Sequence, residues 1–184
     1  MPNPAIRSYP TQYVGRWTTK DGTPVTIRPI RPEDEPLMVK FHGTLSEQSV
    51  YLRYFHMEKL DSRVAHDRLL QKCFIDYDRE MALVADRQDP STGEHELLAV
   101  GRMTKMPDSS EAEVAVLVSD NAQKQGLGTE LVRRLIEVAR DEKLERIIAV
   151  ILPENHGMMT LARHFHFTVR GSADPNVIIA VLDL

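Results

Sequence analysis

The sequence predicts a mixed α/β domain, of the α+β kind, in which helices pack on both faces of a mainly antiparallel sheet. Three observations support this fold class. Three strand-like segments follow one another between turn-rich connections, at residues 80–87, 96–106 and 111–120. A long amphipathic helix then begins near Gly128. Beyond it, strand-like and helical patterns alternate to the C-terminus.

The N-terminal part of the chain predicts a β-hairpin followed by helices. Residues 16–30 have strand character on both sides of Asp21-Gly22, a dipeptide typical of hairpin turns. Residues 31–45 change to a helical period after a group of acidic residues that suit a helix N-terminus. Two more short helices are predicted, at residues 46–56 with Ser46 as N-cap and at residues 61–73 with Asp61 or Ser62 as N-cap.

The C-terminal half predicts helix, strand, helix and strand in that order. The helix near Gly128 has an apolar stripe that contains Leu131, Leu135 and Val138. Residues 146–152 form a continuous apolar run, which is typical of a strand covered on both faces. The remaining helix and strand are predicted at residues 154–165 and 177–184.

Composition limits the classes of function. The chain has 184 residues, of which 42% are hydrophobic, and this suits one compact domain with a core. The net charge is −4 and both signs are interspersed, so no nucleic-acid partner is expected. No apolar run approaches the roughly 20 residues of a membrane span, so no membrane partner is expected either. We predict a proline-rich tail or linker at residues 1–12 and the domain at residues 13–184.

Cysteine and histidine usage also limits the chemistry. The single cysteine, Cys73, excludes an internal disulfide and is typical of a reducing compartment, so a cytoplasmic location is expected. The seven histidines show no spacing typical of a metal site, so no metal is predicted.

A glycine-containing turn precedes the long helix, in the segment SDNAQKQGLGTELVRRL at residues 119–135. Glycine lets a ligand approach the backbone, and the first turn of a helix offers unpaired N–H groups and a partial positive charge. The turn therefore suits a phosphate, unless it is an ordinary strand-to-helix connection. Two known phosphate-binding loops do not fit this turn. A dinucleotide-binding loop has its third glycine where Leu131 stands, and a nucleoside-triphosphate-binding loop has Lys-Ser/Thr after the glycine, whereas Gly128 is followed by Thr129 and Glu130.

A third pattern fits this turn. Gln123-Lys124-Gln125-Gly126-Leu127-Gly128 resembles the Gln/Arg-x-x-Gly-x-Gly/Ala signature of the GNAT superfamily of acyl-CoA-dependent N-acyltransferases. The segment ENHGMMTLARHF resembles the second motif of that superfamily, and the order of elements is similar along nearly the whole chain. Segments such as YLRYF and IDYDREMALVA are most similar to the acetyltransferase domain of bacterial Pat-type protein lysine acetyltransferases.

The resemblance implies a GNAT fold in which a central pair of strands is splayed and acetyl-CoA, the cosubstrate, lies between them. The amides of residues 123–129 are then expected to bind the pyrophosphate, and amides near Leu117 and Val118 the pantetheine and the thioester carbonyl. Asn155 occupies the position that hydrogen-bonds the CoA arm. The predicted cofactor-binding residues are therefore Leu117, Val118, Gln123, Lys124, Gln125, Gly126, Leu127, Gly128, Thr129 and Asn155.

Acyl transfer to an amine requires removal of a proton, because a lysine ammonium has a pKa of about 10.4. Glu113 is the predicted general base, since it begins the strand that leads to the proposed thioester site and the family places a strand glutamate in this role. The alternative is that Glu113, like Glu111, is only an exposed charge at a strand end. Asp76, Asp78 and Glu80 form either a negative rim of the acceptor site or an ordinary connection.

Three further positions affect the interpretation. Ala162 stands where many small-amine members carry a tyrosine acid, so no general acid is assigned, and His166 replaces the usual glycine near the end of the second motif. Tyr51, Tyr54 and Phe55 recur at helical spacing and are expected in the core, with one of them lining the acceptor slot.

The sequence thus predicts an enzyme that transfers acetyl from acetyl-CoA to a protein lysine by direct attack in a ternary complex. The resemblance implies an acyl-CoA synthetase as acceptor, and fusion to an acyl-CoA-synthetase-like or regulatory region in the full-length protein. A small-amine N-acetyltransferase and a non-catalytic acetyl-CoA-sensing module are the alternatives.

Overall fold

A single open sheet organises the chain in the computed structural model, which describes residues 7–184. The strands, in spatial order β1-β2-β3-β4-β5-β6-β8-β7, all run antiparallel to their neighbours except β5 and β6, which are parallel. The strands are β1 (Gly15–Thr18), β2 (Pro24–Pro29), β3 (Glu80–Gln88), β4 (His95–Lys105), β5 (Glu111–Val118), β6 (Arg146–Ile151), β7 (Thr168–Gly171) and β8 (Ile178–Asp183). The predicted mixed, mainly antiparallel sheet is confirmed.

Helices cover both faces of the sheet. The helices are α1 (Glu35–Gly43), α2 (Glu47–Tyr54), α3 (Leu60–Arg63), α4 (His66–Cys73), α5 (Leu127–Asp141) and α6 (His156–His164). One core cluster joins α5 and α6 to one face of the sheet, and a second joins α1 and α4 to the other face. No helix in residues 7–184 is long and apolar enough to cross a membrane.

The central strands β5 and β6 pair over only three residues. Their register begins at Glu111 with Arg146 and ends at Glu113 with Ile148. Beyond Glu113 the two strands separate, although β5 continues to Val118 and stays paired with β4. The predicted splayed pair is therefore confirmed, and the gap opens in the middle of the sheet.

Close packing places α5 against β4. The predicted apolar stripe of Leu131, Leu135 and Val138 is fully buried. A Cβ atom added at Gly101 of β4 would lie 3.1 Å from Cβ of Leu131 and 3.2 Å from Leu135, so a larger residue there would push the helix away. Gly101 thus fixes how closely the helix that follows the glycine turn approaches the sheet.

On the opposite face α4 buries Leu69 and Cys73. Burial raises the pKa of the Cys73 thiol to about 11, and the negative charge of Asp34 adds to the effect. This thiol therefore stays protonated at neutral pH and lies out of contact with water.

The prediction of one helix at residues 61–73 is wrong, because two short helices, α3 and α4, occupy that segment. Neither of the predicted caps starts a helix: Lys59 precedes α3 and Ala65 precedes α4. Arg63 explains the break, since its buried guanidinium bonds to the carbonyls of Glu58 and His42 and holds the end of α3 inward.

Ser46 caps α2 as predicted, and its side chain accepts a hydrogen bond from the amide of Ser49. Strand β7 was not predicted, because all four of its residues are exposed and show no apolar alternation. Of the predicted tail, residues 1–6 lie outside the described residues. Tyr9 donates a hydrogen bond to the carbonyl of Pro29, 2.7 Å away, so part of the remainder packs on the domain.

Candidate active site

The gap between β5 and β6 exposes backbone groups of β5. The amide of Ser119 donates to the carbonyl of Leu98, 2.8 Å away. Backbone direction alternates along a strand, so the N–H and C=O groups of Val116 and Val118 point away from β4, toward the gap. Since β6 is paired with β5 only as far as Ile148, it does not satisfy them.

The same alternation corrects one predicted position. Leu117 lies opposite Val100 of β4, and its amide points toward that strand. Its side chain is buried in the core cluster beneath α1. The free amide predicted at Leu117 therefore belongs to Val116, whereas Val118 faces the gap as predicted.

A cavity of about 490 Å³ lies beside the end of β6. Its lining comes from α2, from the segment that follows β6 and from the turn before β8: Tyr51, Phe55, Leu152, Pro153, Glu154, Asp174, Pro175, Asn176 and Val177. Tyr51 and Tyr54 are only partly buried and Phe55 is exposed, so the prediction that these aromatic residues belong to the core is wrong for all three. Tyr51 and Phe55 form one wall of the cavity.

The glycine turn presents a row of unpaired amides. No amide N–H of residues 123–129 donates a hydrogen bond to any atom of residues 7–184. Gly126, which precedes α5, has a φ of 87°, and Lys124 has a φ of 62°. This left-handed backbone and the start of α5 together direct several N–H groups to one side, as in anion sites at helix N-termini.

Both glycines lie against neighbouring elements. A Cβ atom added at Gly126 would lie 3.2 Å from the ring of Trp17. One added at Gly128 would lie 3.3 Å from Leu161 of α6 and 3.9 Å from Val116 and Val118. Glycine at position 128 therefore allows α5 to begin close to α6 and to the gap in the sheet.

Side chains hold the turn in place. The Gln125 carbonyl accepts a hydrogen bond from the amide of Lys20 at 3.1 Å, and its Oε1 accepts one from the amide of Asp21 at 2.9 Å. Gln123 Nε2 donates to Ser49 Oγ at 3.1 Å and to the Val118 carbonyl at 3.3 Å. The two glutamine side chains thus connect the turn to the β1–β2 hairpin and to α2, and leave the amides free.

The second motif forms the start of α6. Asn155 Oδ1 accepts a hydrogen bond from the amide of Met158 at 3.0 Å and caps the helix, and its Nδ2 remains available to donate to a ligand. Ala162 is buried against the core. His166 has a φ of 61° just after the end of α6, in the left-handed region that favours glycine.

Glu113 lies where the gap begins, because it is the last residue of β5 that pairs with β6. Its side chain is exposed and shares the α2-facing side of the sheet with Leu117. Within residues 7–184 its carboxylate makes no ion pair, whereas Glu111 is bonded to Arg146 at 2.9 Å. Glu113 is therefore the freer of the two carboxylates.

The acidic segment before β3 is neutralised by arginines. Asp76 lies 3.5 Å from Arg79, Asp78 lies 2.9 Å from Arg7, and Glu80 pairs with Arg102. These pairs favour the interpretation of this segment as an ordinary connection over a negative rim. Residues 7–184 contain no cluster of side chains suited to a metal ion.

The chain matches the family described as acetyltransferase (GNAT) domain over residues 25–168, and it belongs to this family. It is therefore a GNAT N-acetyltransferase. A curated relative from Pseudomonas aeruginosa, named acetyltransferase PA5475, is 31% identical over 156 residues, which cover 85% of this chain and 80% of the relative.

Solved structures show the same fold. The GNAT domain of S. lividans PAT has a TM-score of 0.85 and 26% identity, over 96% of this chain and 100% of that chain. Mycobacterium smegmatis RimJ, solved in complex with CoA-disulfide, has a TM-score of 0.71 and 16% identity, over 92% of this chain and 86% of its own.

A buried histidine lies near the C-terminal end of α1. His42 is 4% exposed, and its Nδ1 lies 3.2 Å from Arg63 Nη1, a donor that requires this nitrogen to be unprotonated. Burial and, to a smaller extent, the positive charge of Arg63 lower the pKa of His42 to about 4. The imidazole of His42 is therefore neutral in the folded protein at neutral pH.

We predict that His42 makes stability pH-dependent. Its pKa is about 4 when folded and 6.5 in the reference state, so its contribution is complete above pH 6.5 and is lost as pH falls through 4. The loss is at most roughly 3 kcal/mol. Urea unfolding at several pH values measures it. His42→Gln, which keeps an acceptor for Arg63, should flatten this slope, whereas the exposed control His164→Gln should not. Equal slopes in all three proteins would contradict the prediction.

Proposed function

We propose that this enzyme transfers the acetyl group of acetyl-CoA to the ε-amino group of a protein lysine. The observation that carries the proposal is the gap between β5 and β6, which has a row of unpaired amides near one end and the free carboxylate of Glu113 at the other. The gap joins a site for an anion to a group that accepts a proton.

The residues present fit coenzyme A. The amides of residues 123–129 and the N-terminus of α5 suit a diphosphate, since they offer donors and a partial positive charge. The backbone of Val116 and the amide of Val118 offer strand-like hydrogen bonds to an extended arm with amide groups, as pantetheine has, whereas the Val118 carbonyl already accepts from Gln123. Asn155 Nδ2 lies at the start of α6 and is available to the same arm.

The chemistry follows from these positions. The attacking amine must be neutral, and Glu113 is the carboxylate placed to accept its proton, directly or through water. An amide of the exposed β5 backbone donates to the thioester oxygen as negative charge develops there. A C–N bond forms, the C–S bond breaks, and CoA leaves as thiolate.

The absence of a tyrosine at position 162 is compatible with this route. A thiol has a pKa near 8.5, so a thiolate leaves without an obligatory acid. Ala162 is buried and bears no proton donor. The direct route needs no covalent enzyme intermediate, so an acetyl adduct on the enzyme that transfers competently to an amine would contradict it.

The choice of a protein lysine rests on the sequence resemblance to Pat-type protein lysine acetyltransferases, and the fold is similar to that of the S. lividans PAT domain, which this chain covers completely. An acyl-CoA synthetase as acceptor, fusion to a larger region and a cytoplasmic location remain predictions of the same resemblance. The deciding experiment supplies labelled acetyl-CoA with either an acyl-CoA synthetase or a panel of small amines. We expect acetyl-lysine in the protein by mass spectrometry and slower transfer to the small amines.

Faster acetyl transfer to the small amines than to the protein would indicate a small-amine N-acetyltransferase. Tight binding of acetyl-CoA without turnover of any acceptor would indicate a sensing module. Either result would overturn the proposed acceptor.

Gly126→Ala is predicted to weaken CoA binding at least tenfold, measured by calorimetry. The φ of 87° costs an alanine about 1 kcal/mol, and the new Cβ would meet the ring of Trp17. Gly22→Ala is a matched control, because Gly22 also has a φ of 87° but nothing lies within 4 Å of its added Cβ. Both variants should lose the stability that the positive φ costs, and only the first should lose affinity. Unchanged affinity in Gly126→Ala would remove the turn from the CoA site.

Glu113→Gln is predicted to lower kcat by about 100-fold or more, because a neutral amide cannot accept the proton. The dissociation constant of CoA should not change. Glu111→Gln is the control, since Glu111 is held by Arg146 and should leave kcat within about threefold. A near-normal kcat in Glu113→Gln, with CoA binding intact, would exclude Glu113 as the base.

A further inference from the structure

A positively charged side chain without a counter-ion lies beneath α2. Arg53 is partly buried and follows Val50, which is 1% exposed, by one helical turn. Because α2 packs on β5, residues one turn apart share the face directed at the sheet. The guanidinium of Arg53 therefore lies between α2 and the sheet.

Neighbouring carboxylates form ion pairs with other arginines. In residues 7–184 no carboxylate oxygen lies within 4.0 Å of the Arg53 side-chain nitrogens. Glu58 pairs with Arg68, and Glu80 pairs with Arg102. The contact that Arg53 does make is with the ring of Tyr54, whose centroid lies 5.1 Å from its Cζ. The opposite charge that a partly buried cation requires is missing.

Nearby charges of both signs act on this guanidinium. Burial lowers the pKa of the Arg53 guanidinium, and the positive charges of Arg102 and Arg68 lower it further. Tyr54 and Glu113 act in the opposite direction. Because α2 packs on β5, Arg53 lies on the same face of the sheet as Glu113.

The diphosphate site lies toward the other end of α2 from Arg53. Ser49, one helical turn before Arg53, accepts a hydrogen bond from Gln123 Nε2 of the glycine turn. Val118, which leads into that turn, is five residues along β5 from Glu113, a span of about 16 Å. The substrate that reaches the Glu113 end is therefore the better-placed source of a counter-ion for Arg53.

We propose that the guanidinium of Arg53 binds a carboxylate of the acceptor, so that the enzyme prefers a lysine with an acidic residue beside it. The planar guanidinium suits two parallel hydrogen bonds to a carboxylate. This inference rests on the proposed function, because it assumes that the acceptor amine reaches Glu113. On a protein the carboxylate belongs to an Asp or Glu side chain, and on a free amino acid it would be the α-carboxylate.

The test uses two blocked peptides that contain one lysine and differ only in a Glu or a Gln next to it. We expect kcat/KM to be about tenfold or more higher for the Glu peptide. Arg53→Gln should remove this preference, and Arg53→Lys should retain part of it. Arg140→Gln removes an exposed arginine on α5, across the sheet, and should leave the preference unchanged. A second pair, Nα-acetyl-lysine and its amide, tests the α-carboxylate in the same way.

Equal kcat/KM for the two peptides in the unaltered enzyme would overturn the proposal. The proposal would also be overturned if Arg53→Gln lowered kcat equally for both peptides and had no such effect in a Glu113→Gln background. Arg53 would then only position Glu113. Failure of the proposed function, seen as no acetyl transfer to any amine, is a separate result.

Binding then decides the carboxylate site without turnover. The acetyl-lysine forms of the two peptides are titrated by calorimetry into the enzyme with CoA. A tenfold preference for the Glu peptide that Arg53→Gln abolishes supports the site, and equal affinities or no binding of either peptide overturn it.

Discussion

Backbone pairing stops in the middle of the sheet, and the rest of the site depends on that interruption. A buried amide or carbonyl without a partner costs about 1–3 kcal/mol, so a strand that loses its neighbour must meet water or a ligand. Beyond Glu113, β5 is paired on one side only. The glycine turn, α2 and the segment that follows β6 surround the open side, so the proposed site for two substrates lies where these backbone groups are unsatisfied.

Much of the fold follows from local rules that a sequence displays. The stripe of α5 and the cap at Ser46 were predicted because helical period and side-chain capping are local properties. The break between α3 and α4 was missed, since it depends on Arg63 reaching the carbonyl of His42, 21 positions away in the chain. Strand β7 was missed because it is an exposed edge whose pairing with β8 leaves no mark on its own composition.

The backbone conformation of the glycine turn could be predicted, because a motif fixes it. The direction of individual backbone groups in β5 could not. The glycine turn is visible in the sequence because only glycine readily adopts the φ found at Gly126. Which of Val116, Leu117 and Val118 faces the gap depends on the register with β4, and a sequence does not display register. The role proposed for Arg53 could not be predicted from the sequence, because the lack of a counter-ion is visible only when the surroundings of the side chain are known.

The shielding of Cys73 has a practical consequence for measuring turnover. Acyl transfer to an amine liberates a thiol from the donor, and thiol-reactive dyes report that release continuously. The protein has one cysteine, and it is 1% exposed with a pKa near 11, so it reacts slowly with such reagents. The colour that develops in such an assay therefore reports the thiol of released CoA, with little contribution from Cys73 of the enzyme.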